Sequence, residues 1–334
     1  MSWMLTGGAG YIGSHVLRAM MDDGQSVVVF DDLSTGKATR VPRSVPLVTG
    51  SVLDREALRN AIREHDVTGV VHLAGKKSVP ESVEQPLTYY RENVAGVLAL
   101  LEVMVAEGVK NLVFSSSAAV YGSSDSHSVN ESSPTNPESP YGRSKLVDEW
   151  MIEDAAAAFG LSCVKLRYFN VVGCADPSLA ETDGSNLFPL VFKALGRGER
   201  PVVFGDDYPT RDGSCVRDYI HVEDLADAHV AAVHKVTQGT IDETVNIGCG
   251  LGHTVFEVLA EIGRVTGIDA TPRVLPRRLG DPASMIAATG PAERILGWTA
   301  QKSLHDMVES AWRGVSASHI GEATVIPIDE RRAS

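Results

Sequence analysis

Seven residues near the start of the chain, Gly7-Gly8-Ala9-Gly10-Tyr11-Ile12-Gly13, constrain its fold more than any other feature. They lie between a short apolar run, Ser2 to Leu5, and a segment with Val16, Leu17, Met20 and Met21 at helical spacing. The order reads as strand, glycine turn, helix. The glycines fit both G-x-G-x-x-G (Gly8, Gly10, Gly13) and G-x-x-G-x-x-G (Gly7, Gly10, Gly13). Missing side chains there let the backbone turn tightly and approach a pyrophosphate, and the helix N-terminus offers unpaired N–H groups to the phosphates. A second strand, Ser26 to Phe30, ends in Asp31, eighteen residues beyond Gly13. That is close to the spacing at which an acid holds adenosine ribose hydroxyls, and a carboxylate repels a 2′-phosphate, so the pattern favours NAD over NADP.

The alternation continues. Val45–Val48, Gly69–Ala74, Asn111–Ser117 and Ser162–Leu166 read as strands, and Arg55–His65, Tyr89–Glu107 and Tyr141–Phe159 as helices. Strands alternating with helices predict an α/β, doubly wound parallel-sheet Rossmann fold with ligands at the C-terminal ends of the strands. That rule gathers Gly7–Gly13, Asp31, Ala74–Lys77, Ser115–Ser117 and Arg167–Asn170 around one crevice. Beyond Asn170 the pattern weakens into Gly/Pro/Asp-rich loops, the character of a substrate cap, and Thr244–Gly248 reads as a strand rejoining the main sheet. The expected organisation is a dinucleotide-binding domain over 1–170 with returning segments near 218–250, a smaller interleaved C-terminal domain over 171–314, and a loosely held tail over 315–334. Low complexity is confined to Ser123–Pro140 and that tail.

Tyr141 stands four residues ahead of Lys145, so on a helix the phenol and the ammonium share one face. A free phenol titrates near ~10, and work as a base near neutrality requires a fall of about three units, or roughly 4 kcal/mol. Lys145 is one cation that favours the phenolate, and an oxidised nicotinamide is another. By itself the spacing is that of an ordinary surface pair; beside a dinucleotide turn it becomes a candidate base. The net charge of −13 argues against nucleic acid or an anionic membrane as partner. The start of the chain lacks a membrane-spanning run and the marks of a signal peptide, which leads to an expected cytoplasmic location. Cys163, Cys174, Cys215 and Cys249 form no C-x-x-C pair, so reduced thiols and no metal site are expected.

Five segments carry a resemblance: Gly7 to His15, Ser115 to Gly122, Ser139 to Lys145, Leu166 to Asn170 and Val216 to Val222. Together they resemble the extended short-chain dehydrogenase/reductase family, in register from Met1 to about Arg313, and Phe204 to Gly213 is similar to its nucleotide-sugar epimerase branch. The resemblance implies tightly bound NAD and interconversion of UDP-glucose and UDP-galactose. In that chemistry Tyr141 removes the sugar's 4-hydroxyl proton, hydride leaves carbon 4, and a 4-keto intermediate turns before hydride returns to its other face. It implies that Ser117 hydrogen-bonds the reacting oxygen and that Lys145 contacts the nicotinamide ribose and lowers the Tyr141 pKa. Cofactor contacts implied are Gly7, Gly10, Tyr11, Ile12, Gly13, Asp31, Asp32, Leu33, Ser34, Ser51, Val52, Leu73, Ala74, Gly75, Lys77, Asn93, Ser115, Ser116, Tyr141, Lys145, Tyr168 and Phe169. Substrate contacts implied are Lys77, Ser117, Tyr141, Asn170, Asn186, Leu187, Phe204, Arg217, Arg278, Asp281 and Met285.

Some positions depart from the family's pattern. Ser51 stands where many relatives carry an acid near the adenine, and Asp32 and Thr35 stand where asparagines are common. Met285 occupies the position associated with room for a 2-substituent, and flexible methionine leaves UDP-N-acetylglucosamine and UDP-glucuronate open as substrates. Dehydratases of the family carry an acidic pair next to the serine; here those positions are Ala118 and Ala119. A homodimer is expected through the helices that begin near Tyr89 and Tyr141.

Overall fold

The computed structural model describes residues 1–123, 128–181, 186–278 and 281–320. Strand β1 (Ser2–Thr6) buries Trp3, Met4 and Leu5 completely, as a central parallel strand covered on both faces must. It feeds the glycine turn and helix α1 (Tyr11–Asp22), followed by β2 (Ser26–Asp31), β3 (Leu47–Thr49), α2 (Arg55–Glu64) and β4 (Val67–His72). Asp54 caps α2 by accepting from the amides of Glu56 and Ala57. Next come α3 (Val79–Glu84), α4 (Pro86–Tyr89), a π-helical stretch (Tyr90–Ala95), α5 (Gly96–Glu107), β5 (Asn111–Ser117), α6 (Pro140–Phe159) and β6 (Ser162–Tyr168). Ser139 accepts from Gly142 N at the start of α6, Pro140 opens its first turn, and Gly160 ends it in the left-handed region at φ 67°.

After β6 run β7 (Asn170–Val172), α7 (Leu187–Gly196), β8 (Val202–Phe204), β9 (Val216–His221), α8 (Val222–Val236) and β10 (Asp242–Ile247). The chain ends with β11 (Gly252–Thr254), α9 (Val255–Thr266), β12 (Arg273–Leu275), β13 (Ser284–Met285), α10 (Gly290–Leu296) and α11 (Leu304–Ile320). The main sheet has seven parallel strands in the order β10-β6-β5-β4-β1-β2-β3. Strand order reverses between β1 and β4, where a doubly wound sheet opens its ligand crevice. One face is covered by α1 and α8 through Val16, Leu17, Met20, Leu225 and Val233, and the other by α2, α5 and α6 through Leu58, Leu100, Met104 and Ile152. A second lobe gathers around Phe188, Phe192, Tyr219, Leu259 and Met307, with β9 flanked by β7, β11 and β13.

Three local features differ from the sequence expectation. The helix expected from Tyr89 passes through the π-helical stretch, where Asn93 reaches out to the Lys76 backbone. The third strand is shorter than Val45–Val48 suggested and shifted toward Thr49, because Pro46 offers no amide to the ladder. Helix α11 runs through Ile320 instead of loosening after Gly314. A β-carbon at Gly314 would lie 2.9 Å from Ala180 Cβ and 3.2 Å from Cys174 Sγ, so this glycine permits close docking of the helix. The rest of the expected tail, and 124–127 of the Ser123–Pro140 loop, lie outside the described residues.

Candidate active site

The glycine turn is closed to side chains. Gly7 sits at φ +72°, and a β-carbon there would come within 2.7 Å of Ala74 N; one at Gly13 would lie 2.1 Å from Gly7 O, and one at Gly10 3.2 Å from the same oxygen. Tyr11 and Ile12 open α1, and the Tyr11 hydroxyl donates to Gly173 O at 2.7 Å, tying the turn to the strand that leads into the second lobe. Asp31 accepts from Ala9 N and from Leu33 N, both at 2.9 Å, with Leu33 held at φ 58°. Burial pushes the Asp31 carboxyl up, and those two amides pull it back down. Asp32 is exposed and accepts from Ser34 N at 2.9 Å. Ser51 Oγ accepts from Leu53 N at 3.2 Å, while Val52 is packed into the core.

After β4, Leu73 N and Ala74 N donate to Thr6 O and Thr6 Oγ1 at 3.1 and 3.3 Å. Gly75 follows at φ +153°, where a β-carbon would sit 3.0 Å from Asn93 Oδ1 and 4.0 Å from Lys145 Nζ. The dinucleotide turn and the Tyr141 helix are therefore neighbours. These residues fit a dinucleotide: a turn that a single Cβ would fill, an open helix N-terminus behind it, and an acid at the end of the next strand.

Ser117, Tyr141 and Lys145 converge at the C-terminal end of β5 and are 9%, 7% and 5% exposed. Lys145 Nζ donates to Ser115 O at 3.0 Å and lies 4.7 Å from the centre of the Phe114 ring. Tyr141 packs edge-on against Tyr89 with ring centres 6.4 Å apart. Burial holds the Tyr141 phenol above its ordinary value, the Ser117 hydroxyl hydrogen-bonded to it pulls down, and the Asp148 carboxylate pushes up. The groups acting on the phenol within the polypeptide are Ser117 and Asp148. The ammonium is itself lowered by burial and is supported by Asp148 and Glu149, so the polypeptide alone leaves the phenol protonated.

Several expected contacts turn inward. Asn93 is 2% exposed, and its amide is occupied with the Lys76 backbone and Ser144 Oγ. Ser115 Oγ bonds His229 Nε2 at 2.8 Å, and Ser116 Oγ donates to Glu149 at 2.5 Å, so both serines offer the crevice only backbone. Tyr168 is half-buried beside Ser115, and withdrawal of its hydroxyl from water raises its phenol. Phe169 packs with Met285, Tyr121 and Leu146.

On the second lobe, Arg217 pairs with Asp281, and Met285 lies beside Arg217 in the ladder. The Arg278 guanidinium covers the Phe204 ring at 3.8 Å. Lys77 pairs with Glu181 at 2.6 Å, and Asn186 Nδ2 donates to the same carboxylate at 3.1 Å, next to Leu187 at the start of α7. Asn170 is exposed and donates to Asp218 O at 3.2 Å.

Sequence reasoning missed three supports. Asp218, fully buried and pushed up to about 6 by burial, accepts from the amides of Cys249, Gly250 and Ala287 and so fixes the loops around Arg217. Glu149 and Arg167 form a buried bidentate pair that also engages Ser116 and Tyr121. Glu181 gathers Lys77 and Asn186. Only Glu149 left a sequence signal, since it stands four residues beyond Lys145 on the same helix.

A parallel sheet that closes on a dinucleotide turn, with a Tyr/Lys pair converging at the C-terminal end of β5, places the chain among the short-chain dehydrogenase/reductase class of NAD enzymes. Among these, the chain belongs to the NAD dependent epimerase/dehydratase family, whose model matches residues 3–248. It is similar to UDP-glucose 4-epimerase of Azospirillum brasilense, 44% identical over 329 residues covering 96% of this chain and 94% of that one. It is also similar to UDP-glucose 4-epimerase of Bacillus subtilis strain 168, 41% identical over 333 residues covering 95% and 98%. The solved structure of UDP-glucose 4-epimerase from Stenotrophomonas maltophila, with bound NAD and formylated UDP-arabinopyranose, aligns with a TM-score of 0.92 at 40% identity, covering 96% of this chain and 99% of that one. No helix among the described residues is long and apolar enough to cross a membrane. Among them, too, no group of histidine, cysteine and acidic residues could hold a metal ion.

Proposed function

We propose that the chain is an NAD-dependent isomerase that interconverts UDP-glucose and UDP-galactose by inverting carbon 4. The observation that carries this reading is the convergence of Ser117, Tyr141 and Lys145, buried at the end of β5 and joined to the dinucleotide turn through Gly75. NAD, when bound, supplies a hydride acceptor for carbon 4 and returns the hydride, so the reaction needs no outside oxidant or reductant. The glycine turn, Asp31 and the segment from Leu73 to Gly75 would hold it.

Tyr141 Oη takes the proton of the 4-hydroxyl as the carbonyl forms and gives it back as the carbonyl is reduced. Ser117 Oγ, already bonded to Tyr141, is placed to hold the reacting oxygen. The Lys145 charge stabilises the phenolate once a second cation joins it. Arg217 and Arg278 present permanent planar cations to a diphosphate, and Phe204 and Asn186 complete that side. A sugar held through its diphosphate stays free to turn over between the two half-reactions. Ala118 and Ala119 lack the groups that dehydration requires.

The chain is incubated separately with UDP-glucose, UDP-N-acetylglucosamine and UDP-glucuronate, and the products are identified by NMR. UDP-galactose from UDP-glucose is expected, with Tyr141→Phe slower by about 10²- to 10⁴-fold. Unchanged UDP-glucose refutes the activity, and near-normal turnover by Tyr141→Phe refutes the base. A homodimer forms part of the reading, because Leu98 of α5 and Trp150 of α6 leave 42% and 55% of their surface exposed on neighbouring helices. Sedimentation as a monomer at micromolar concentration would remove it. A cytoplasmic location accords with four cysteines in no disulfide, and recovery in a secreted fraction would contradict it.

A further inference from the structure

Asp148 lies near the Tyr/Lys pair, and the mechanism does not use it. It lies on α6, three residues beyond Lys145 and seven beyond Tyr141, on the stripe of the helix that carries both. It is completely buried, and neither carboxylate oxygen has a hydrogen-bond partner. A buried carboxylate without hydrogen bonds is costly, and what offsets the cost is a neighbouring cation.

The charged and titratable groups around it leave Lys145 as that cation. On its own helix the groups that act on Asp148 are Lys145 and Glu149. Glu149 is already matched by Arg167 from β6. From β4, His72 is buried next to Lys145 and held neutral, its pKa lowered to about 3 by burial and by that ammonium. From α4, Tyr89 packs on Tyr141 with its hydroxyl donated to Glu81 of α3. From the π-helical stretch, Asn93 contributes only an amide, donated to Ser144. Tyr168 of β6 is a protonated phenol. Lys145 in turn donates its hydrogen bond to the neutral carbonyl of Ser115, so Asp148 is its free counter-charge.

We propose that Asp148 is a positioning residue of this centre, whose carboxylate balances the charge of Lys145 and thereby sets the pH range in which the Tyr141–Lys145 pair operates. The inference rests on the reading of Tyr141 as the base. The Asp148 carboxyl is pushed up to about 7 by burial, with Lys145 pulling it down, and its negative charge raises both neighbours. Removing that charge eases loss of a proton from Tyr141 and from Lys145 alike. The limb of the pH profile that reports the phenolate and the limb that reports the ammonium therefore move together to lower pH.

The test is Asp148→Asn, which keeps the shape and removes the charge, in the NAD-loaded protein. Its kcat/KM for UDP-glucose is expected to match wild type well below pH 7, where the Asp148 carboxyl is itself protonated, to exceed it above that on the rising limb and to fall below it at alkaline pH, with one crossing. A readout apart from turnover is tyrosinate absorbance, referenced to Tyr141→Phe: the Tyr141 phenolate is expected at lower pH in Asp148→Asn than in wild type. Asp148→Val removes the charge without leaving an unpartnered polar group, and it serves if the asparagine variant does not fold. A profile that only scales in height, with the tyrosinate transition unmoved, overturns the proposal. An inactive wild type would instead overturn the reading beneath it.

Discussion

Gly13→Ala is the sharpest test of the dinucleotide turn. The new methyl carbon would lie 2.1 Å from Gly7 O, 2.8 Å from Gly8 Cα and 2.9 Å from Gly7 C, all well inside the 3.4 Å at which ordinary contact begins. All three neighbours are backbone, so none can swing aside, and the first turn of α1 must move off the loop by more than about 1 Å. Amides aimed at a pyrophosphate do not keep their hydrogen bonds through such a shift. One lost bond to a charged group is worth about 1.5–3 kcal/mol, or about 10- to 100-fold in affinity. Since the helix start moves as a unit and carries more than one amide, a loss of NAD affinity of about 10²-fold is expected. Calorimetric titration of the apo-protein with NAD measures it, with circular dichroism confirming the fold. Gly196→Ala is the control: nothing lies within 4 Å of its β-carbon position in α7, so it should bind NAD normally and gain about 0.5–1 kcal/mol in stability. NAD affinity of a folded Gly13→Ala within about threefold of wild type, under 1 kcal/mol, would refute the steric reasoning.

Glu149→Gln should cost about 3–5 kcal/mol, because it leaves the Arg167 guanidinium buried against a neutral amide. Chemical denaturation reads the loss, and a midpoint equal to wild type would show that the pair contributes nothing. His229 is buried, hydrogen-bonded to Ser115 Oγ and Leu225 O, and held down at about 4. Its folded pKa lies below the unfolded value of about 6.5, so its contribution is complete above about pH 6.5 and is lost as pH falls toward 4, about 3 kcal/mol in all. The stability difference between wild type and His229→Gln should therefore narrow across that window, and a difference independent of pH would contradict the assignment.

The strands and helices of the main sheet were legible because their signals are local. Val27 to Phe30 and Val70 to Val71 are unbroken apolar runs of the kind a parallel sheet buries on both faces, and the glycine turn announces itself by composition. What stayed hidden depends on partners distant in sequence. The π-helical stretch follows from Asn93 reaching Lys76, while apolar spacing runs on undisturbed through Val97 and Leu101. Gly314 looks like a helix stop until Cys174 and Ala180 are seen beside it. Ser115, Ser116 and Asn93 fall at crevice positions, yet their side chains serve His229, Glu149 and Lys76. Asp148 reads as an ordinary helical acid, and only the packed structure shows it sealed from water.

The last strand of the main sheet has a consequence for biosynthesis. Strand β10 pairs along β6 from Cys163 to Tyr168, yet it is translated only after much of the second lobe. Until Ile247 clears the ribosome, the nascent chain holds its dinucleotide turn complete and one flank of its sheet bare, with open amides and carbonyls that invite association with other chains. A polypeptide cut anywhere between Tyr168 and Asp242 leaves β6 as the outermost strand of the sheet, the place that β10 takes in the full chain.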